Sequence, residues 1–210
     1  MYILPQFKYI PFVPNNSPSH LEGLVRGFLL PDRLHPARDG LSPEQRDLLT
    51  RKPEFQSQLW GVRDVKDVMV LICGHRGRDE RCGVYGPLLR DEFRQVLPGK
   101  GVDVLEGPVA VSEKDATTSS EGQGGKRTAR VGVVSHVGGH KFAGNVIVYV
   151  PPGARTIEGG EHPLGGCGIW YGRVEPRHVE GIVEETVLRG RVIEELFRGG
   201  INREGEILRI

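Results

Sequence analysis

Short apolar runs, each bounded by charged or glycine-rich sequence, are the feature that most restricts the fold of this chain. Lys66 to Cys73 (KDVMVLIC), Arg130 to Val134 and Asn145 to Val150 have the continuous apolar character of strands that are buried on both faces. A helical pattern with proline at its start runs from Pro87 to Leu97. Another begins at Glu175, is broken at Gly190 and continues from Val192 to Phe197, ahead of a Gly-Gly pair. Strands that alternate with helices predict the α/β class.

The sequence before these runs has a different character. Residues 1–64 are rich in proline and have few periodic apolar stretches, so we expect a proline-rich N-terminal arm that is extended and contains one or two short helices. One of these helices begins after Ser42, where the serine, a proline and Gln45 have the spacing of a capping box. Residues 65–210 are predicted to form the α/β domain, with an exposed polar loop from Gly107 to Thr128.

Composition argues against several kinds of partner. The formal net charge is only +1, so we expect no electrostatic surface for nucleic acid or for an anionic membrane. The longest apolar runs are too short to span a bilayer. The first residues, MYILPQFKYIPFVP, resemble neither a secretory signal nor a mitochondrial transit peptide. Three cysteines are too few for a disulfide scaffold, so we expect them to do chemistry in a reducing, intracellular compartment.

Two loops carry the candidate ligands. Residues 135–145 (SHVGGHKFAGN) follow an apolar strand and place His136 and His140 on either side of two glycines and a valine, which favours a tight loop over a helix. The sequence CGHRGRDERC begins at Cys73 and ends at Cys82. In open α/β sheets ligands bind beyond the carboxyl ends of the strands, so we expect the two loops to lie side by side. The sequence therefore predicts one site formed by these two cysteines and two histidines.

Several chemistries remain open for these four side chains. Structural zinc prefers cysteines two to four residues apart, whereas eight residues separate these two. The helical HExxH motif of metalloproteases is absent. A thiol–disulfide oxidoreductase would have to pair Cys73 with Cys82 across a larger loop than that of a CxxC motif. In two-iron clusters two histidines can replace two cysteines on one iron, and this alternative suits the wide spacing best.

Other candidate residues are expected to be structural. Cys167 is predicted to be a buried structural thiol, and Trp170 is predicted to pack in the core from a strand. His162 is expected at the surface. His75 is the one further histidine that we keep as a reserve ligand.

The array of Cys73, Cys82 and the sequence HVGGHKFAGN, with His136 and His140, resembles the sucrase/ferredoxin-like family, whose members are thioredoxin-like ferredoxins. The later sequence GIWYGRVEPRHVEGIVEETVLRGRVIEELFRGG resembles the fungal branch named for altered inheritance of mitochondria. The resemblance implies a thioredoxin-like ferredoxin domain that carries a [2Fe–2S] cluster. It also implies that the two cysteines bind the iron that stays ferric, and that the two histidines bind the iron that accepts the electron.

The same resemblance implies a mitochondrial location, redox protein partners of unknown identity and a capacity to form homodimers. We therefore predict an electron carrier without catalytic residues. The alternatives are a thiol–disulfide oxidoreductase that uses Cys73 and Cys82, and a zinc-stabilised binding module. Neutral imidazoles cancel less of the cluster's positive charge than thiolates do, so the ligand set predicts a raised reduction potential. Each bound imidazole also carries a second ring proton, so electron transfer should be coupled to proton transfer.

Overall fold

The computed structural model describes residues 1–12, 17–107, 109 and 126–209, except for the side chain of His140. By their contacts these residues group into two compact units. Met1–Leu4 and Lys8–Asp64 belong to the first unit, whereas Pro5–Phe7 and most of the chain from Val65 onward belong to the second.

The first unit has a small core of its own. Three two-residue strands, β1 (Tyr2–Ile3), β2 (Lys8–Tyr9) and β3 (Arg63–Asp64), form an antiparallel sheet. Helix α1 (Pro18–Leu24) continues as a π-helical turn over Val25–Leu29 and is followed by helix α2 (Pro43–Leu49), with 3₁₀ turns at Pro36–Arg38 and Pro53–Gln58. The buried side chains are apolar and come from the strands, the helices and their connections: Ile3, Ile10, Leu24, Phe28 and Leu59.

The capping box predicted at the start of α2 is confirmed. The Oγ atom of Ser42 accepts the Gln45 N–H at 3.3 Å, and Oε1 of Gln45 accepts the Ser42 N–H at 3.0 Å. These two bonds satisfy backbone donors that a helix N-terminus otherwise leaves open.

A seven-stranded sheet organises the second unit. Its strands are β4 (Val68–Cys73), β5 (Val102–Val104), β6 (Arg127–Val134), β7 (Val146–Tyr149), β8 (Gly168–Tyr171), β9 (Phe197–Ile201) and β10 (Ile207–Leu208). Their spatial order is β10-β9-β8-β7-β4-β6-β5, in which β4, β6 and β5 are parallel and the other pairs are antiparallel. The apolar runs of the sequence are the central strands, and most of the predicted loop from Gly107 to Thr128 lies outside the described residues.

Two helices pack on this sheet. Helix α3 (Glu80–Gly99) follows β4 in the crossover to the parallel strands, and helix α4 (Pro176–Gly181) with its π-helical continuation over Ile182–Leu188 follows β8. Leu89 and Phe93 of α3 and Val179 of α4 are fully buried in the core that the strands form. No helix within the described residues is long and apolar enough to cross a membrane. A β-α-β unit followed by antiparallel strands and a helix confirms the predicted α/β class.

Two predicted helix boundaries are wrong. Helix α3 begins at Glu80 rather than at Pro87, because the Asp79 side chain accepts the Arg81 N–H at 2.9 Å and caps the helix seven residues earlier. The predicted break at Gly190 is confirmed, since the helix ends at Leu188 and Gly190 adopts a φ of +72°, but the helix does not resume over residues 192–197 as predicted. The Gly-Gly pair that looked like a helix stop lies in β9.

Candidate metal centre

Both predicted ligand loops leave the same edge of the sheet. Strands β4 and β6 are parallel, with Cys73 opposite Val134, so both end at this edge. Strand β7 is antiparallel to β4 and pairs Val146 with Ile72, so β7 starts there. Residues 135–145, which join β6 to β7 and are called the histidine loop below, therefore lie beside the loop that follows Cys73, as the sequence predicts.

Backbone hydrogen bonds hold the start of the cysteine loop against its neighbours. The N–H of Cys73 donates to the carbonyl of Asn145 at 3.0 Å, and the N–H of Gly74 donates to the carbonyl of Val134 at 3.0 Å. Glycine is required at position 74 because a Cβ atom there would lie 2.1 Å from Cγ1 of Val133. The position of Cys73 relative to the histidine loop is therefore set by the sheet itself.

Cys73 and Cys82 form a buried pair of free thiols. Their exposed fractions are 1% and 3%. Cys82 lies in the first turn of α3, where its thiol is adjacent to that of Cys73 and close to the backbone N–H of Gly144. Burial first, and then the neighbouring Cys73 thiol, raise the pKa of Cys82 to about 11. At neutral pH the Cys82 thiol is therefore protonated, and a metal cation would have to displace its proton in order to bind.

The histidine loop contacts this thiol pair directly. Ala143 is buried in one apolar cluster with Cys73 and Cys82, and Val137 packs against the same cluster. Together with the N–H of Gly144, these contacts cover the thiols with residues of the loop that also carries His136 and His140. The pairing of the cysteine segment with the histidine segment is thus a feature of the packing as well as of the topology.

The imidazole groups of His136 and His140 are the other half of the predicted ligand set. The ring of His136 is exposed and lies next to the ring of His75, with centroids 5.9 Å apart and an interplanar angle of 62°. The side chain of His140 lies outside the described structure. Among the described side chains no three His, Cys, Asp or Glu groups converge closely enough to hold a metal ion. The two cysteines lie together, and the described ring of His136 does not join them in a group of three that could hold a metal ion.

His75 has an unusual environment. Its Nδ1 atom is buried, and the described structure gives it no hydrogen-bond partner. A buried polar nitrogen without a partner costs free energy unless something binds it. The ring also lies beside that of His136. A role for His75 as a metal ligand remains a prediction.

Trp170 and Asn145 hold the histidine loop in shape. Asn145 is 1% exposed, and its Oδ1 atom accepts the Nε1–H of Trp170 at 3.2 Å. Gly138 has a φ of +78°, and a Cβ atom there would lie 2.5 Å from Cζ2 of Trp170 and 2.6 Å from Oδ1 of Asn145. Sequence reasoning assigned Trp170 to core packing and gave Asn145 no role; the HVGGH spacing alone does not reveal that a distant indole supports the loop.

Comparison with known proteins agrees with the resemblance drawn from the motifs. A family model described as sucrase/ferredoxin-like matches residues 1–199. The chain belongs to the sucrase/ferredoxin-like family. Altered inheritance of mitochondria protein 32 from Debaryomyces hansenii is 38% identical over 151 residues, which are 72% of this chain and 40% of that protein. The protein of the same name from Meyerozyma guilliermondii is 32% identical over 206 residues, 96% of this chain and 57% of that protein.

The chain thus spans 40% of the length of the first of these relatives and 57% of the length of the second. Among solved structures, a thioredoxin-like [2Fe–2S] ferredoxin from Aquifex aeolicus is 16% identical, with a TM-score of 0.37, and the match covers 63% of this chain and 91% of that one. At that identity and TM-score the likeness says nothing about a cofactor in this chain.

Proposed function

We propose that this chain is an electron carrier, not an enzyme, and that it holds a [2Fe–2S] cluster through Cys73, Cys82, His136 and His140. The observation that best supports the proposal is the buried thiol pair at the sheet edge, against which the histidine loop packs. The donor set fits the group, because two thiolates on one iron and two imidazoles on the other are a known ligation of two-iron centres. When bound, the cluster supplies one-electron redox chemistry.

The residues around the cysteines have definite roles in this proposal. Val137 and Ala143 keep water from the sulfur atoms. The backbone N–H of Gly144 lies close enough to Cys82 to act on its pKa, and in the proposal it donates a hydrogen bond to the Cys82 sulfur; hydrogen bonds to cluster sulfurs are one of the means by which a protein sets the reduction potential. Cys82 also lies in the first turn of α3, where the positive end of the helix dipole would favour the thiolate once a metal cation has displaced the proton.

The histidines are the second part of the proposal. A metal-bound imidazole keeps one ring nitrogen free to hold a proton, and the ring of His136 is exposed to solvent, with which it can exchange that proton. We infer that the electron transferred at this site is accompanied by a proton at that nitrogen, so that the potential depends on pH. From the names of the relatives we also infer a mitochondrial location.

One observation favours a second function, thiol–disulfide exchange. Cys73 and Cys82 are free and adjacent, which is the arrangement from which a disulfide forms on oxidation. Against it, the attacking species in such exchange is the thiolate, and the raised pKa of Cys82 together with its burial disfavours that form. The electron carrier is therefore the better supported of the two.

Metal analysis of cysteine variants tests the proposal. The protein purified without oxygen should contain iron and acid-labile sulfide in equal amounts, two of each per chain. Cys73→Ser and Cys82→Ser should lose most of both. Cys167→Ser is the matched control, because this partly buried cysteine lies outside the thiol pair, and it should retain them. Equal loss in all three variants, or zinc in place of iron, would contradict the proposal.

A further inference from the structure

Phe142, in the histidine loop, has three cationic side chains around its ring. The guanidinium carbon of Arg198 lies 4.5 Å from the ring centroid, that of Arg173 lies 5.5 Å away, and Nζ of Lys141 lies 5.9 Å away. Lys141 belongs to the histidine loop, Arg173 follows β8 and Arg198 lies in β9. Three separate segments of the chain therefore bring positive charge to one ring, and we call Phe142 with these three residues the cationic face.

The charges of the cationic face are not neutralised within the described structure. Lys141, Arg173 and Arg198 take part in none of the ion pairs between described residues. The chain has 27 acidic residues for 28 basic ones, so carboxylates are not scarce. An aromatic ring attracts cations, but only weakly at an exposed site, and the three like charges repel one another. The cluster is therefore well suited to an anion that approaches from solvent.

A cleft of about 570 Å³ adjoins the cationic face. Its lining includes Gly139, Phe142, Trp170, Phe197, Arg198 and Arg209. Among the described residues that line it there are two arginines and no carboxylate. Because Gly139 and Phe142 flank His140 in the histidine loop, an occupant of the cleft would contact the loop that carries two of the proposed ligands.

We propose that the cationic face, with its cleft, is where an acidic surface of the redox partner protein docks, so that electrons enter or leave through the histidine loop. This inference rests on the proposed electron-carrier function. The near-zero net charge means that the protein as a whole exerts little long-range attraction, so attraction of a partner has to come from a local concentration of charge. Complementary charges of this kind raise association rates and fix the orientation of two proteins.

Two one-electron acceptors of opposite charge test the docking surface. In stopped-flow experiments the reduced protein gives one electron to tris(oxalato)cobaltate(III), an anion, or to hexaamminecobalt(III), a cation, and each Co(III) becomes Co(II). The triple variant Lys141→Gln, Arg173→Gln and Arg198→Gln should react about tenfold more slowly with the anion at low ionic strength, and faster with the cation. With the unchanged protein, added salt should slow the reaction with the anion.

A control with the same loss of charge separates this effect from net charge. Arg155, Arg189 and Arg203 belong to segments at the opposite end of the sheet, where β7 ends rather than begins. Changing all three to glutamine should alter the rate with the anion by less than about twofold, because these charges lie away from the histidine loop. Equal slowing by both triple variants, or none by either, would overturn the docking surface while leaving the cluster in place.

A second measurement decides the matter even if the protein proves to hold no cluster. Hexacyanochromate(III) is a redox-inert paramagnetic anion that broadens NMR signals close to where it binds. The methyl signals of Ile207 and Leu208, which line the cleft, should broaden at lower anion concentration than those of Ile3 and Ile10 in the first unit. A colourless protein that shows this selective broadening would refute the electron carrier and keep the anionic docking surface. Uniform broadening would refute the docking surface.

Discussion

The two adjacent glycines of the histidine loop should respond very differently to the same substitution. Gly138→Ala places a side chain at a φ of +78°, which costs roughly 1–2 kcal/mol for any L-residue with a Cβ atom. The new methyl group would also lie 2.5 Å from Trp170 and 2.6 Å from Asn145. It would thereby break the hydrogen bond between these two side chains and leave the buried amide of Asn145 without its partner, at a cost of about 1–3 kcal/mol. The expected destabilisation is about 3 kcal/mol, which lowers the Tm of a protein of this size by about 6–12 °C.

Gly139→Ala is the matched control. Gly139 does not have a positive φ, and its Cβ atom would lie 3.8 Å from Cδ2 of Phe142, an ordinary contact. Its stability should change by less than about 0.5 kcal/mol. Thermal unfolding followed by circular dichroism measures both variants, with iron content determined for each sample so that cofactor loss is counted separately. Equal Tm values for the two variants would refute the assignment of Gly138 as the residue that lets the loop pack under Trp170.

Three further predictions concern histidines. His136→Cys or His140→Cys should keep a cluster but lower its reduction potential by on the order of 100 mV and make that potential less dependent on pH. Protein-film voltammetry from pH 6 to 10 measures both effects. A dependence of the potential on pH that is unchanged in a variant would exclude the substituted histidine as a ligand. His75→Phe keeps a ring beside His136, so the cluster content and the EPR spectrum should persist, whereas loss of the cluster would make His75 a ligand. Burial lowers the pKa of His162 below its usual 6.5, so the unfolded state binds more protons than the folded state does. The free energy of unfolding, measured with urea, should therefore fall as the pH drops below 6.5, and this residue accounts for at most about 1.4 kcal/mol per pH unit. His162→Gln should remove that contribution, and an unaltered dependence of the unfolding free energy on pH would contradict it.

The sheet could be predicted from the sequence because its central strands are buried on both faces. Six consecutive residues of β4 are at most partly exposed, and such a strand needs apolar side chains at successive positions, which a reader of the sequence sees as one run. Strand β9, between β8 and the edge strand β10, gives no such signal. It pairs with β8 through Gly199 and Gly200, and a Cβ atom at Gly200 would lie 3.0 Å from the carbonyl oxygen of Gly168. The glycines that permit this close approach are the same residue type that ends helices, so the local pattern is ambiguous.

That the two ligand loops lie side by side could be predicted, because the directions of the strands they follow place both loops at the same end of the sheet. What could not be predicted is the set of contacts made by residues distant in sequence. His162 was expected at the surface and is 3% exposed: its Nδ1 atom accepts the Leu164 N–H at 3.2 Å, and its Nε2 atom lies 3.2 Å from the carbonyl oxygen of Val187. The cationic face likewise draws on three segments, and no local pattern in any one of them indicates the others.

The central claim is that the buried thiols and the histidine loop together hold a two-iron cluster. EPR spectroscopy of the anaerobically purified protein, before and after reduction with dithionite, tests it most directly. The proposal predicts a brown protein that is EPR-silent when oxidised and gives an S = 1/2 signal on reduction, and predicts that the signal is absent from Cys73→Ser and retained in Cys167→Ser. A colourless protein that binds zinc, or a metal-free protein with a reducible disulfide between Cys73 and Cys82, would contradict it.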